Sequence, residues 1–388
     1  MAIPAELGVM IAEARRRYPQ LKDQPDELVA EMIAGALAAQ GGGQIPGNPE
    51  GMDLARLSGA ACAELGQQSL RTGRWQEAER FFLVALEKSE QAKDLELESG
   101  VTMQLGQLCR QRGDFSQAMA LSKRALGLAE RLGDRHLVGV LYDEIGSNHR
   151  RLSQYPQAIE YYKKSLSIFE ERAEGPSAAI EYQNLGTVYL AQGELALAND
   201  AYEKAHQLFD KAGDELGAGK SMGNLGSVLL HQGHYARAAE MIQKDLDILL
   251  RHDDQQGAAI AYGNLGTVQM YRGDLESAMR MYQKAGEIAE RIGDEPTAAL
   301  AYGGLGDARR LKGDVPLALE CYHKALKISE RIGDQHNAAV VYANLGNLYQ
   351  SVKERDQART HFAKAKALFE MVGDPIQAQK VARALRAL

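Results

Sequence analysis

Three asparagines stand 40 residues apart in this sequence, Asn184, Asn224 and Asn264, and a fourth, Asn344, returns at the same phase two periods later. A carboxamide both donates and accepts, so such a ladder can pair with both polar groups of an extended peptide backbone. Basic residues sit at related phases: Arg71, Arg110, Arg150, Arg151, Arg310 and Lys220. Guanidinium groups present forked donors that match carboxylates, which points to acidic side chains of a partner. Reactive chemistry is harder to find. There is no GxxxxGK(S/T) loop, and Gly303-Gly304-Leu305-Gly306 lies inside a repeating helical pattern where no strand precedes it. His231 and His234 bracket a turn without a third ligand close in sequence, and Cys109 reads as a small buried residue. Glu170-Glu171 and Asp253-Asp254 read as solvated faces or caps. Candidate groups that repeat along a chain suit recognition, whereas an active site is singular, so no enzymatic activity, metal or cofactor is expected.

The elements that must hold these residues follow from one period. Leu-Gly, once Ile-Gly, ends at Gly66, Gly106, Gly146, Gly186, Gly226, Gly266, Gly306 and Gly346, spaced by 40 residues without an insertion. Twelve residues past each glycine is an alanine, from Ala78 to Ala358, and sixteen past it a large residue, with Ser122 the exception. Seven past it comes a glycine in six repeats, where a left-handed cap ends a first helix; Ser153 and Lys353 depart from this. The second helix carries apolar residues at helical spacing, as in Ala318, Tyr322, Ala325, Leu326 and Ile328. It closes on Gly-Asp pairs such as Gly213-Asp214 and Gly293-Asp294, glycine ending one helix and aspartate capping the next.

The anchor leucine, glycine, alanine and aromatic, in this order, resemble the tetratricopeptide repeat over about residues 54–388. The 40-residue length and segments such as Ala259-Ile260-Ala261-Tyr262-Gly263-Asn264-Leu265-Gly266 look like the subclass in LGN/Pins-type adaptors, and more loosely like kinesin light chains. That resemblance implies an all-α, right-handed α-solenoid of eight helix-turn-helix repeats that binds another protein's segment in a concave groove. Repeat 1 departs in carrying Cys62 where tyrosine is common. Residues 1–51 are expected to form an N-terminal helical segment, with helices at 5–17 and 25–39, and a Gly/Pro linker; it reads as a cap or as a tether folding over the groove. Residues 52–373 are the eight repeats and 374–388 a C-terminal capping helix.

If offsets −4, −1, 0 and +3 from the anchor glycine face the partner helix, a 100° step per residue places −6, −3, −2, +1, +4 and +5 on the opposite stripe. That stripe carries the asparagine ladder and the six basic residues against Glu64, Asp143, Glu144 and Asp307, a local balance of +2 in a chain of net charge −7. Helices stack at about 8–10 Å and an extended chain rises about 3.3 Å per residue, so the ladder touches about every third ligand residue. The competing reading is that the asparagines bridge neighbouring helices within the array. Gly223, Gly263 and Gly303, with Ser147, Thr187, Ser227 and Thr267, give the stripe a small floor.

With 45 Lys and Arg against 52 Asp and Glu, neither nucleic acid nor an anionic membrane is an expected partner. No apolar stretch approaches a membrane span, and three cysteines without a CxxC pair favour a reducing compartment, so a cytoplasmic location is expected. The reading is therefore a non-catalytic scaffold or adaptor. Its alternatives are a regulatory sensor for a short free peptide and a substrate-recruiting subunit of a larger enzyme system, with an RNA-binding repeat array behind both. Oligomeric state is not set by these residues.

Overall fold

A computed structural model describes Leu54 and residues 57–388; the helices expected at 5–17 and 25–39 and the linker lie outside the described residues. Among the described residues there are seventeen α-helices and no strand. Their contacts divide them into two compact units, one ending at Ala173 and one beginning at Glu174. The first holds α1 (Gly59–Arg71), α2 (Trp75–Ala92), α3 (Leu95–Gln111), α4 (Phe115–Leu132), α5 (Arg135–Arg151) and α6 (Tyr155–Glu171). The second holds α7 (Gly175–Ala191), α8 (Leu195–Ala212), α9 (Glu215–His231), α10 (Tyr235–Arg251), α11 (Gln255–Tyr271), α12 (Leu275–Ile292), α13 (Glu295–Lys312), α14 (Val315–Arg331), α15 (Gln335–Ser351), α16 (Arg355–Met371) and α17 (Pro375–Arg386). Within each unit the helices pair as tandem hairpins, the α-solenoid arrangement.

Local chemistry sets the boundaries. Asp134, Asp214, Asp294, Asp334 and Asp374 each accept the backbone N–H three residues on, as the Gly-Asp pairs indicate. Asp94, Asp114, Asp254, Asp274 and Asp314 do the same at helix starts that lack such a pair or follow the short turn. The turn between paired helices passes through a left-handed residue in every repeat. Where glycine is missing, Ser153 (φ 56°) and Lys353 (φ 64°) still take that conformation, at the cost a Cβ imposes there.

Packing inside each hairpin rests on one contact. The anchor glycine lies against the large residue sixteen positions on. A Cβ on Gly66 would stand 2.5 Å from the Phe82 ring, on Gly186 2.7 Å from Tyr202, on Gly306 2.7 Å from Tyr322 and on Gly346 2.6 Å from Phe362. In the repeat where Ser122 replaces the aromatic, the same test atom at Gly106 comes no closer than 3.4 Å. The alanine twelve positions past the anchor is fully buried in all eight repeats. First helices of successive hairpins also touch, α1 on α3 in the first unit and α7, α9, α11, α13 and α15 in series in the second. Within each unit they form one layer, and the stripe of that layer turned away from the second helices is the candidate ligand face. At the C-terminal end α17 lies on α16, burying Ala378 and Val381 with Phe362 and Phe369.

Two stability outcomes follow. Gly186→Ala lowers stability by about 1–3 kcal/mol through overpacking against Tyr202, whereas Gly106→Ala raises it by about 1 kcal/mol from helix propensity; urea unfolding of both variants measures the contrast. Lys353→Gly and Ser153→Gly each relieve a left-handed Cβ and raise stability by about 0.5–1 kcal/mol in the same measurement.

Candidate functional site

The stripe residues separate into groups engaged within the array and groups that are not. All four asparagines are half-buried. Asn344 Nδ2 donates to Asp307 Oδ2 at 3.1 Å, so at that repeat the bridging reading holds. Asn224 and Asn264 have no hydrogen-bond partner among the described residues. The small floor also divides. Gly263 and Gly303 are open, with no atom within 4 Å of an added Cβ. The hydroxyls at +1 turn inward instead. Ser147 pairs with the Tyr162 hydroxyl at 3.2 Å and Thr267 with Tyr282 at 2.9 Å, while Tyr202 donates to Thr187 at 3.1 Å. In the seventh repeat Tyr322 donates to Asp307 at 2.6 Å. Ser147, Thr187 and Thr267 thus tie the buried phenol of their own hairpin, while Ser227, whose repeat has Ile242 in place of the aromatic, donates to the Gly223 carbonyl at 3.2 Å.

The basic residues are likewise sorted. On α3 and α5 of the first unit the structure brings together Arg110, Arg150, Arg151, Asp143 and Glu144. Arg110 lies 3.8 Å from Glu144, which also accepts from Gln107. The Nε of Arg150 is buried without a partner. Burial, reinforced by Arg150 and Arg110, pulls Arg151 below the usual guanidinium range. Burial pushes Asp143 up to about 6, opposed by Arg110 and Arg150. In the second unit Lys220 pairs with Asp254 at 2.8 Å, and Arg310 lies 3.8 Å from Asp307. Arg71 is exposed in the last turn of α1. A positive surplus counted along the sequence therefore reduces to one cluster.

Several features escaped the sequence reading. Tyrosines at −4 lie under lysines at +18 of their own hairpin, as with Lys324 over Tyr302 at 3.9 Å and Lys364 over Tyr342 at 5.1 Å. Tyr302 and Tyr342 also donate to Glu290 and Glu330. A cleft of about 430 Å³ opens beside this seam, lined by Glu330, Tyr342, Lys364 and Leu368 among others. Asn148, 1% exposed, has both amide atoms buried and unpartnered. Asp245 on α10 is 7% exposed, with Oδ1 buried and unpartnered. The signal for both was in the register. Asn148 stands where five other repeats have leucine or valine, and Asp245 where the other seven have alanine or serine.

Elsewhere, His231 Nδ1 lies 2.9 Å from the Ser227 carbonyl. Among the described residues no group of three His, Cys, Asp or Glu side chains is placed to hold a metal ion, and no helix is long and apolar enough to cross a membrane. Cys62, Cys109 and Cys321 are free and buried, and burial raises each thiol.

Burial pushes the Asp245 carboxyl up to about 7, partly offset by Lys220. An unfolded aspartate titrates near 3.9, so the native state holds this proton more tightly and loses stability as pH rises from about 4 to 7. Asp245→Ala is therefore expected to raise the thermal midpoint most above pH 7, with the gain vanishing near pH 4, as read by a melting series across that range.

Comparison with known proteins places this geometry. The family model described as MalT-like TPR region matches residues 246–387, and the one described as Tetratricopeptide repeat matches 97–171 and 176–251. No curated protein matches the chain. Among solved structures, the apo form of RapI aligns at TM-score 0.61 and 17% identity over 72% of this chain and 100% of its own. A Rap protein complexed with Competence and Sporulation Factor aligns at 0.57 and 16%, over 85% and 96% respectively. A signal-transduction ATPase of the STAND class with a tetratricopeptide repeat sensor, from Pyrococcus horikoshii, aligns at 0.56 and 17%, over 96% of this chain and 55% of that one. At these identities the likeness is one of fold, and the closer resemblance to LGN/Pins-type repeats rests on the sequence motifs alone. Eight hairpins in one register, each closed by a glycine against a large side chain or its replacement, together with two family models along the chain, make this a tetratricopeptide-repeat protein.

Proposed function

We propose that the chain is a non-catalytic scaffold that holds a peptide segment of another protein along the inner layer of first helices. The observation that carries this reading is the pair Asn224 and Asn264, one repeat apart on adjacent first helices, each half-buried and without a hydrogen-bond partner among the described residues. Open Gly263 and Gly303 beside them leave room for a ligand main chain. Ile180, Ile260 and Leu300, at −6 on the same stripe, are 47%, 48% and 62% exposed and supply apolar contact. Asn184 extends the ladder by one repeat, whereas Asn344 is engaged by Asp307 within the array.

Within the first unit, Arg110, Arg150 and Arg151 are the residues for an acidic side chain, since two of the five grouped charges are carboxylates and both are pushed toward protonation by burial. Arg71, Arg310 and Lys220 contribute at the margins. Three free cysteines support a reducing, cytoplasmic setting. A second reading, a sensor that takes a short free peptide, is favoured by the Rap protein of the same fold complexed with Competence and Sporulation Factor. Recruitment of substrates to an enzyme in trans is a third use of the same face.

The reading is tested by affinity capture with full-length protein. Asn184→Ala/Asn224→Ala/Asn264→Ala is expected to lose the captured partner while keeping the wild-type circular dichroism spectrum. Arg110→Glu/Arg150→Glu is expected to weaken it at least about tenfold if the partner segment is acidic. Equal capture by wild type and the triple variant contradicts the ladder.

A further inference from the structure

The fifth repeat breaks the register in two places that meet. Position +19 of the repeat holds Ala85, Ala125, Ser165, Ala205, Ala285, Ala325 and Ala365, and in the fifth repeat it holds Asp245. Opposite it on α9 is Gly223, at −3 on the ligand-facing stripe. A Cβ there would stand 2.1 Å from Asp245 Oδ2. The carboxylate therefore occupies the space where a side chain of the stripe would be, and the absence of that side chain lets Oδ2 reach the stripe. Aspartate is tolerated at this small-residue position only with glycine facing it.

Nothing in the array compensates this group by hydrogen bonding. Oδ1 is buried and unpartnered, and Asp245 makes no hydrogen bond among the described residues. The charges facing it from the two helices packed against α10 are Lys220 on α9 and Asp254 at the start of α11, and Lys220 Nζ is held by Asp254 at 2.8 Å. Two carboxylates around one ammonium leave a local deficit of positive charge. A buried carboxylate without donors is costly, and alanine or serine fills the same register position in the other repeats. Local violations of the pattern of this kind are expected at functional or strained sites.

We propose that Asp245 receives a cationic group, a guanidinium or ammonium, from the segment lying on the second unit's inner layer. This rests on the ligand-face reading above and specifies it. The apolar neighbours at −6 in the flanking repeats, Ile180 and Ile260, make the preferred segment one in which a basic residue is bracketed by apolar side chains. The donor meets Oδ2, the oxygen that reaches the stripe, and its positive charge balances the three-charge group of Asp245, Lys220 and Asp254.

The test uses full-length protein and three synthetic nonapeptide pools. Their central residue is fixed as arginine, as its neutral isostere citrulline, or as glutamate, and the other positions are drawn from Ala, Leu, Val and Ser. Wild type is expected to retain the arginine pool at least about tenfold better than the citrulline pool, with the glutamate pool lowest. In Asp245→Asn, which keeps the shape, and in Asp245→Ala, which restores the residue of the other repeats, the arginine-to-citrulline ratio is expected to fall to about one. A ratio of one in wild type, or a ratio preserved in both variants, overturns the proposal. If both neutral and basic pools are retained equally and Asn224→Ala/Asn264→Ala releases both, the ligand face stands and only the role of Asp245 falls. Retention of no pool by wild type overturns both.

Discussion

The contact between the anchor glycine and the large residue sixteen positions on governs the rest of this structure. It lets two helices of a hairpin approach closely enough that the alanine at +12 is sealed, and it fixes which face of the first helix turns outward. The second repeat shows the rule by its exception. Ser122 takes the aromatic position, and the space beside Gly106 is correspondingly relaxed. Because the contact is made anew in each hairpin, the fold is a sum of similar local closures and nearest-neighbour interfaces. Residues free of that duty are the ones available for recognition.

That division of labour is visible in the polar groups. A buried phenol needs a partner, and in four repeats the residue at +1 supplies it, from Ser147 with Tyr162 to Asp307 with Tyr322. Asp307 serves twice, since it also takes the amide of Asn344. Groups spent in this way stabilise the array and are withdrawn from ligands. Asn224, Asn264 and Asp245 are not spent, and all three belong to the fifth and sixth repeats. In the first unit the guanidinium groups of α3 and α5 are crowded together beside carboxylates that burial pushes toward the neutral form, and the buried Nε of Arg150 has no partner.

The fold was legible because period and register are properties of the sequence itself. Leu-Gly spacing, the alanine at +12 and the glycine at +7 specify helices, turns and core, and the structure has each where the spacing requires it. Left-handed Ser153 and Lys353 show the turn imposing its geometry even where the residue resists. The candidate ligand face was only half legible. A helical projection finds which side chains share a stripe, but it is blind to partners in the next hairpin. Lys220 looked like a free cation until Asp254 met it, and Asn344 like a free amide until Asp307 did. Asp245 was missed for the opposite reason: it lies on a second helix, off the stripe, and reaches it only through the gap at Gly223.

The central claim is that the inner layer of first helices, rather than the outer face of second helices, contacts the partner. Photo-crosslinking tests it most directly, with benzoylphenylalanine placed at Gly263, which is open on the first-helix stripe of α11, or at Lys327, exposed on α14. The account predicts that illumination in a lysate of the producing cell joins a partner chain to the Gly263 site, with fragments mapping to one contiguous segment of that partner. Adducts formed at Lys327 and absent at Gly263 would contradict it.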